Sequence, residues 1–565
     1  MTARSTATRR RATALLAVLA LTAGACSDSG DSTSPTDASE PAVEPSTTTA
    51  AGDPPVNPFL ADSVVPIGHF DSAQTDSMTV AGPTGPTATL SPDELTYTHL
   101  GPAHFGLAIS PTYPDGRRVI WSNGGDRISK LDAETLEVLA ELPLPDKEPV
   151  TSEMADAHIA ELDGLEGRAL ADAGIGLAAQ YLTGLSGVYY LLDRDNTLFV
   201  GGAESILAYR DVDPDDPASP IELAATFARP AEVTGSFAGA NLTFDGHLVM
   251  ITDEGWIVVA ARDFSSHQAV RLPGGEAAPA HNEQMGAEGR RAGQADWVRN
   301  SVAVDDDGGI YALSLDHAHK VVWDGSSLST DPADGAWTAP YRNGSGNGSG
   351  ATPSLMGFGP DADRFVVFTD GEDVMNVVLM WRDEIPAGWT PPEGAPSERI
   401  AGQVRADIGD PTRTAVQTEQ SVVVGGYGAL VVNNDPSSIP DGFPPAATRI
   451  LAGYAGADPD FTPKGLQKLA WDPTADRLDT AWVNREVSSA NAVPLVSTGS
   501  DTLYTVGARD GAWTLEGLDW STGESVFHWV TGSNRYNTLF SGLNLDEQGR
   551  VMHTTAFGIV RYEPR

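Results

Sequence analysis

The chain has 565 residues, 77 of them acidic and 35 basic, for a formal net charge of −42; so acidic a surface repels phosphates and anionic headgroups and argues against nucleic-acid binding. Hydrophobic residues make up 41%, enough for a large buried core, while 59 glycines and 40 prolines mark many turns. The single cysteine, Cys26, excludes an intramolecular disulfide and a CxxC metal site.

The N-terminus reads as an address followed by a tether. Arg4 and Arg9-Arg10-Arg11 form a positive stretch, and Ala12 to Ala23 is apolar but too short to span a bilayer. Ala23-Gly24-Ala25 then precede Cys26. This arrangement resembles a bacterial lipoprotein signal peptide, although that family usually has Leu where Ala23 stands. The resemblance implies a signal peptide over residues 1–25, cleavage before Cys26, and lipidation of Cys26 that holds the protein at the extracytoplasmic face of the cell membrane. Sec and twin-arginine export both stay open. Residues 26–58 are rich in Ser, Thr, Pro and Asp and nearly free of large apolar side chains. Such a segment cannot offset its ordering entropy and is expected to be a disordered, extended spacer.

Residues 59–565 are expected to form one all-β domain. A phrase recurs along them: alternating apolar residues, an Asp/Gly turn, then a second apolar run. It is clearest in Asn300–Leu313, and Ser541–Thr554 matches that copy position by position. Looser copies are Leu107–Trp121, Val188–Val200, Asn241–Ile251, Leu355–Phe368, Val422–Val432 and Val493–Val506. Alternation makes two-faced strands, and the Asp/Gly pairs supply the turns. Leu503–Thr531 shows three strands and two turns in succession. Four-stranded units at this spacing predict a β-propeller, with eight blades favoured over seven. The last copy ends at Arg565 with room for about three strands. A strand from residues 87–100 is expected to complete that blade and close the ring.

Two stretches break the pattern. Residues 151–180 carry helix formers behind an N-cap at Thr151 or Ser152 and predict a short helical insertion between the first two blades. Asn343–Gly350, NGSGNGSG, is expected to be a flexible surface loop.

Leu518–Thr531 resembles the quinoprotein (PQQ-type) propeller repeat, with Asp519, Thr522-Gly523 and Trp529 at matching spacing; the resemblance implies that Trp529 docks neighbouring blades. Asn300–Leu313 resembles the strand pair of gluconolactonase-like propellers. Each resemblance covers one or two blades and speaks to fold rather than function. The vicinal cysteines common over the quinone of alcohol-oxidising quinoproteins are missing. Of the lactonase metal set, Asn300 matches one Asn, but Ser314 stands where an Asp is expected.

No catalytic or metal-binding residue is assigned from the sequence. His317-x-His319 places two imidazoles on one strand face, yet no third ligand is near. The acidic turns Asp211–Asp216 and Asp305–Gly308 lack calcium-loop spacing. Loops leading into innermost strands line one mouth of a propeller channel. His104, Asn241, His281, Glu283, Asn300, Glu419, Asn491 and Asn537, with Gln420, fall near that place in their blades and are the candidate ligand-binding residues. His281 and Glu283 sit in a Gly-rich loop, Gly274–Gly293.

Two functional readings follow. One is a monomeric binding or scaffolding lipoprotein whose partner is an envelope protein or a small polar ligand. The other is a propeller enzyme, either a metal-dependent hydrolase of lactonase type or a quinone-dependent oxidoreductase. The sequence leaves the cofactor, if any, unknown.

Overall fold

In the computed structural model, which describes residues 52–182, 187–288, 295–360, 362–444 and 447–564, the strands group into eight sheets. The leader, Cys26 and the tether as far as residue 51 lie outside the described residues. Each sheet is built around four antiparallel strands, and each of the eight repeated phrases falls on the two innermost strands of one sheet.

The turns form as their residues dictate. Asp305 accepts hydrogen bonds from the amides of Asp307 (3.1 Å) and Gly309 (2.7 Å), and Gly308 sits at φ 86°, a conformation that costs glycine little. Asp546 holds the amides of Gln548 and Arg550 in the same way. The acidic turns are thus hairpin fasteners.

Apolar clusters join every neighbouring pair of sheets. One unites the first sheet (Val119, Trp121) with the second (Leu192, Leu198), another the fourth (Tyr311) with the fifth (Val366, Phe368), and the largest spans the seventh, eighth and first (Trp529, Ile559, Ile120). The sheets therefore close into a propeller ring. At ~1.5–3 kcal/mol per large buried side chain, these interfaces dominate its stability. Trp529 packs on Phe527 with ring centroids 4.6 Å apart and on Tyr562 of the eighth sheet at 6.3 Å, while its Nε1 donates to the Pro86 carbonyl at 2.9 Å.

The last sheet takes its outermost strand from the other end of the chain. Leu95–His99 runs antiparallel to Gly558–Tyr562, with Tyr97 opposite Val560. Ala88–Thr89 adds in parallel to Trp529–Val530, and Ser77–Met78 in parallel to Val496–Ser497.

The segment upstream, residues 57–80, has no counterpart in the sequence expectations. It runs around the inside of the ring as a strap. Amides of the innermost strands donate to its carbonyls in chain order: Ile109 to Val65 (2.7 Å), Leu192 to Pro66 (2.8 Å), Val304 to Ser72 (2.7 Å), Leu355 to Ala73 (2.9 Å), Val424 to Thr75 (2.8 Å) and Val496 to Asp76 (3.0 Å). The remaining two sheets reach it through side chains: Asn241 donates to the Ser72 carbonyl at 2.9 Å, and the Leu545 amide meets Met78 Sδ at 3.4 Å. The strap satisfies backbone groups that an open channel would leave to water. Residues 52–58, at the end of the Pro-rich tether, already touch the propeller, since Gly52 donates to Phe358 and Asn57 to Leu242.

Among the described residues four α-helices sit on one face. α1 (Ser152–Asp163), capped by Thr151, and α2 (Gly167–Tyr181) form the insertion, with the Gly164 C-cap between them. α3 (Ala278–Ala287) stands where a Gly-rich loop was expected; Pro279 fits its first turn, and buried Ala278, Asn282 and Met285 hold it to the ring. α4 (Thr448–Ala455) lies between the second and third strands of the sixth sheet. α1, α2 and α4 share one apolar cluster with Phe443, Leu539 and Phe557. Strand order explains their common side: in antiparallel sheets, connections into the first strand and between the second and third emerge on the same face.

Asn343–Gly350 is not a free surface loop. Residues 347–350 are buried, Gly348 donates to Asn343 and Ser349 to Tyr341. A Cβ at Gly350 would stand 2.3 Å from the Thr418 carbonyl, so the glycine there serves a close backbone approach rather than mobility.

Candidate functional site

On the helical face the channel holds a cavity of about 700 Å³. Its floor is the strap at Gly68, His69, Phe70 and Asp76. Its walls are the connections into the innermost strands, among them Phe105–Leu107, Val188–Tyr190, Ser236–Ala238, Val298-Arg299 and Glu419–Ser421. Leu182, Ile450 and Phe540, from the helical cluster and its surroundings, cover one side. The chamber is thus assembled from most of the sheets, the strap and the helices together.

Two charged pairs line it. His69 Nδ1 lies 2.9 Å from both carboxylate oxygens of Asp76. Asp76 is buried and His69 mostly so, and both adopt left-handed backbone conformations, φ 62° at His69 and 56° at Asp76, as do Phe70 and Gln74. Non-glycine residues hold such angles only where surrounding bonds enforce them. Here the Gln74 side chain clamps the carbonyls of Gly68 and Asp71, and the Asp76 amide donates to the His69 carbonyl. Burial pushes the His69 imidazole down, but Asp76 outweighs it and leaves the group above its ordinary value. Burial raises Asp76, with His69 partly offsetting the rise. Tyr189 stacks on the imidazole at 6.4 Å with an interplanar angle of 29°. The second pair joins sheets on the opposite wall: Arg299 Nη2 is 2.6 Å from Glu419 Oε2, and Nη1 donates to the Asn347 carbonyl at 3.0 Å.

Asp71, on the same strap, accepts from the Thr75 hydroxyl, and burial lifts its carboxyl to about 7. Its folded value stands above the unfolded one, so its contribution to stability is fully present below pH 3.8 and is lost as pH rises through about 7. Between pH 5 and 8 this group is expected to cost the protein about 2–3 kcal/mol. In Asp71→Asn, urea melts across that range should lack this component; an unchanged pH slope would contradict the assignment.

The sequence-predicted residues separate. Glu419 and Gln420 stand in the chamber wall. Asn300 is one layer behind it, accepting from Tyr189 Oη at 3.4 Å. Asn241 is fully buried and bridges Ser72 and Val302. His104 is buried, tied to Ser122 and the Leu100 carbonyl, and burial pushes it down to about 4. Asn491 and Asn537 bond each other at 3.1 Å and both donate to the Gly453 carbonyl, anchoring α4. His281 caps the Ala295 carbonyl from α3, and Glu283 is exposed on that helix. His69, Asp76, Tyr189 and Arg299 were not among the predicted set. The signal that marks the first two is the polar run His69–Ser77, which lacks strand alternation yet precedes the first repeat.

His317 and His319 share a strand, but His319 is buried between Ser314 and Thr338 while His317 pairs with exposed Asp316. Among the described residues no group of three or more His, Cys, Asp or Glu side chains is placed to hold a metal. Nor does the lining fit the tricarboxylate quinone of quinoprotein propellers. Among the described residues, Asp76, Asp253, Asp296 and Glu419 outnumber Arg299 and His69, and Arg299 is already bound to Glu419.

No protein-family model matches the chain. An uncharacterized protein of Archaeoglobus fulgidus is 29% identical over 522 residues, covering 90% of this chain and 89% of its own length. Among solved structures, the quinohemoprotein alcohol dehydrogenase of Comamonas testosteroni aligns over 89% of this chain and 77% of its own, with 12% identity and a TM-score of 0.48. BamB of Moraxella catarrhalis aligns over 82% of this chain and 96% of its own, with 9% identity and a TM-score of 0.42.

Proposed function

We propose that the protein is a monomeric, lipid-anchored binding propeller of the cell envelope, and that the chamber above the strap takes a small ligand. The observation that carries this reading is the floored and lined volume itself, half open to solvent. At about 700 Å³ it falls within the ~300–1,000 Å³ usual for small-molecule pockets.

In this reading attachment rests on lipid at Cys26, and the acidic tether holds the domain off the membrane. Among the described residues no helix is long and apolar enough to cross a bilayer. Cys26→Ala is expected to shift the protein from the membrane fraction to the soluble extracytoplasmic fraction; retention in the membrane would contradict the anchor. The chamber is tested by native mass spectrometry of the full chain purified from membranes. The wild type is expected to carry a small-molecule adduct that Ala238→Trp, which fills the chamber, lacks. Identical spectra from two folded proteins would count against the reading.

A further inference from the structure

The chamber's charges are engaged before any ligand arrives. His69 is paired with Asp76, and Arg299 with Glu419. Asp253 and Asp296 also have partners, Asp253 holding the Ser236 amide at 2.8 Å. A buried ionic ligand needs an opposing charge that is not already neutralised, or it is left with its desolvation cost. Neither pair leaves such a charge.

What the lining does offer is hydrogen bonding. Asp76 binds Nδ1 of His69, and the imidazolium that this pairing favours presents its Nε2–H, which has no hydrogen-bond partner among the described residues. Asn544 spends its amide N–H on the Gly542 carbonyl and Gln420 its own on Asn491, leaving both amide oxygens as acceptors. Tyr189, stacked on His69, and Phe237 supply flat apolar faces. Acceptors set beside aromatic faces suit a molecule with many O–H donors on a C–H framework.

We propose that the chamber binds a neutral, hydroxyl-rich ring compound of the carbohydrate or cyclic-polyol class, and that His69 Nε2–H donates a hydrogen bond to one of its hydroxyls. Asp76 is the positioning residue that holds the imidazole ring in place. This proposal rests on the chamber being the binding site and adds the ligand's chemistry to it.

The test is calorimetric titration of the full chain with myo-inositol, cellobiose and maltotriose as neutral probes, spermidine as a cation and citrate as an anion. His69→Asn is the diagnostic variant: Asn tolerates the left-handed backbone and still offers an N–H toward Asp76, but has nothing at the Nε2 position. At least one neutral probe is expected to bind the wild type and to bind His69→Asn at least tenfold more weakly, with circular dichroism showing the variant still folded at the titration temperature. Ala238→Trp should abolish that binding. Binding of spermidine or citrate in place of the neutral probes, lost in Ala238→Trp, would overturn the ligand class while leaving the chamber reading in place. Equal affinity in His69→Asn would overturn the donor role. Neutral-probe binding that survives in Ala238→Trp, or no binding by any of the five probes, would overturn both.

Discussion

Shortening the chain from 52–565 to 84–565 is expected to abolish cooperative folding. The shorter chain keeps every strand of the eight repeated phrases but loses the strap. Six innermost-strand amides then lose their protein acceptors at once. If water enters the opened channel, each lost bond still costs ~0.5–1.5 kcal/mol; an amide left dry costs ~1–3. Leu60, Val65, Ile67, Phe70 and Met78, all buried against the sheets, depart as well, at ~1.5–3 kcal/mol each. With the channel wetted, the combined loss of about 10–24 kcal/mol matches or exceeds the ~5–15 kcal/mol that separates most folded domains from their unfolded chains. Circular dichroism melts of the two chains check this. A synthetic peptide of residues 57–82, added in trans, should restore a cooperative transition. A shorter chain that melts within a few degrees of the longer one would show the strap to be an ornament.

The second large effect is expected at Asp211. Lys130 is wholly buried between the first and second sheets, where its ammonium meets Asp211 and the Ser219 carbonyl (2.8 Å) and lies 5.3 Å from the centre of the Trp121 ring. Asp211 also accepts from Tyr113 and from Asn196 (3.1 Å). Burial pushes Lys130 down and Asp211 up, so each charge persists only because of the other. Asp211→Ala leaves a buried cation unpaired and should cost ~3–5 kcal/mol in chemical denaturation. The double variant Lys130→Met/Asp211→Leu replaces both charges with apolar volume and should recover most of that loss, because a buried pair stabilises little beyond its own desolvation cost. If the double variant is as unstable as Asp211→Ala, the pair does more than satisfy itself. In both variants Asn196 still donates to Tyr113 at 2.7 Å while the Tyr113 hydroxyl loses its acceptor, a cost common to the two that leaves their comparison intact.

The repeated phrases were legible because they contain their own cause: alternation for two-faced strands and, in several of them, an Asp carboxylate that fastens its own turn. Asn300–Leu313 and Ser541–Thr554 show this at Asp305 and Asp546. The outer strand from Leu95–His99 could be inferred from a missing strand at the far terminus. The strap could not. Its residues carry no period, because they follow a circle and touch a different sheet every residue or two. Its left-handed positions are held by tertiary bonds rather than by glycine. The candidate site was half legible for a related reason. Position in the repeat correctly pointed to the connections ahead of the innermost strands, which bring Glu419 and Gln420 to the wall. Position could not tell wall from support: Asn241, Asn491 and Asn537 sit close to the same level but turn inward to satisfy backbone carbonyls. The His69–Asp76 pair depends on a fold-back across seven residues, visible only once the strap is closed.

The chamber also changes the balance between the two functional readings of the sequence. A channel packed shut by apolar side chains would have favoured a scaffold; this one is floored, walled and polar on two sides. The most direct measurement of the central claim is a crystal structure of residues 52–565 with the tightest-binding neutral probe. The account predicts ring-shaped density inside the chamber, with one hydroxyl within hydrogen-bond distance of His69 Nε2 and a ring face against Tyr189 or Phe237. A probe bound only on the outer faces of the sheets, with the chamber holding nothing but solvent, would contradict it.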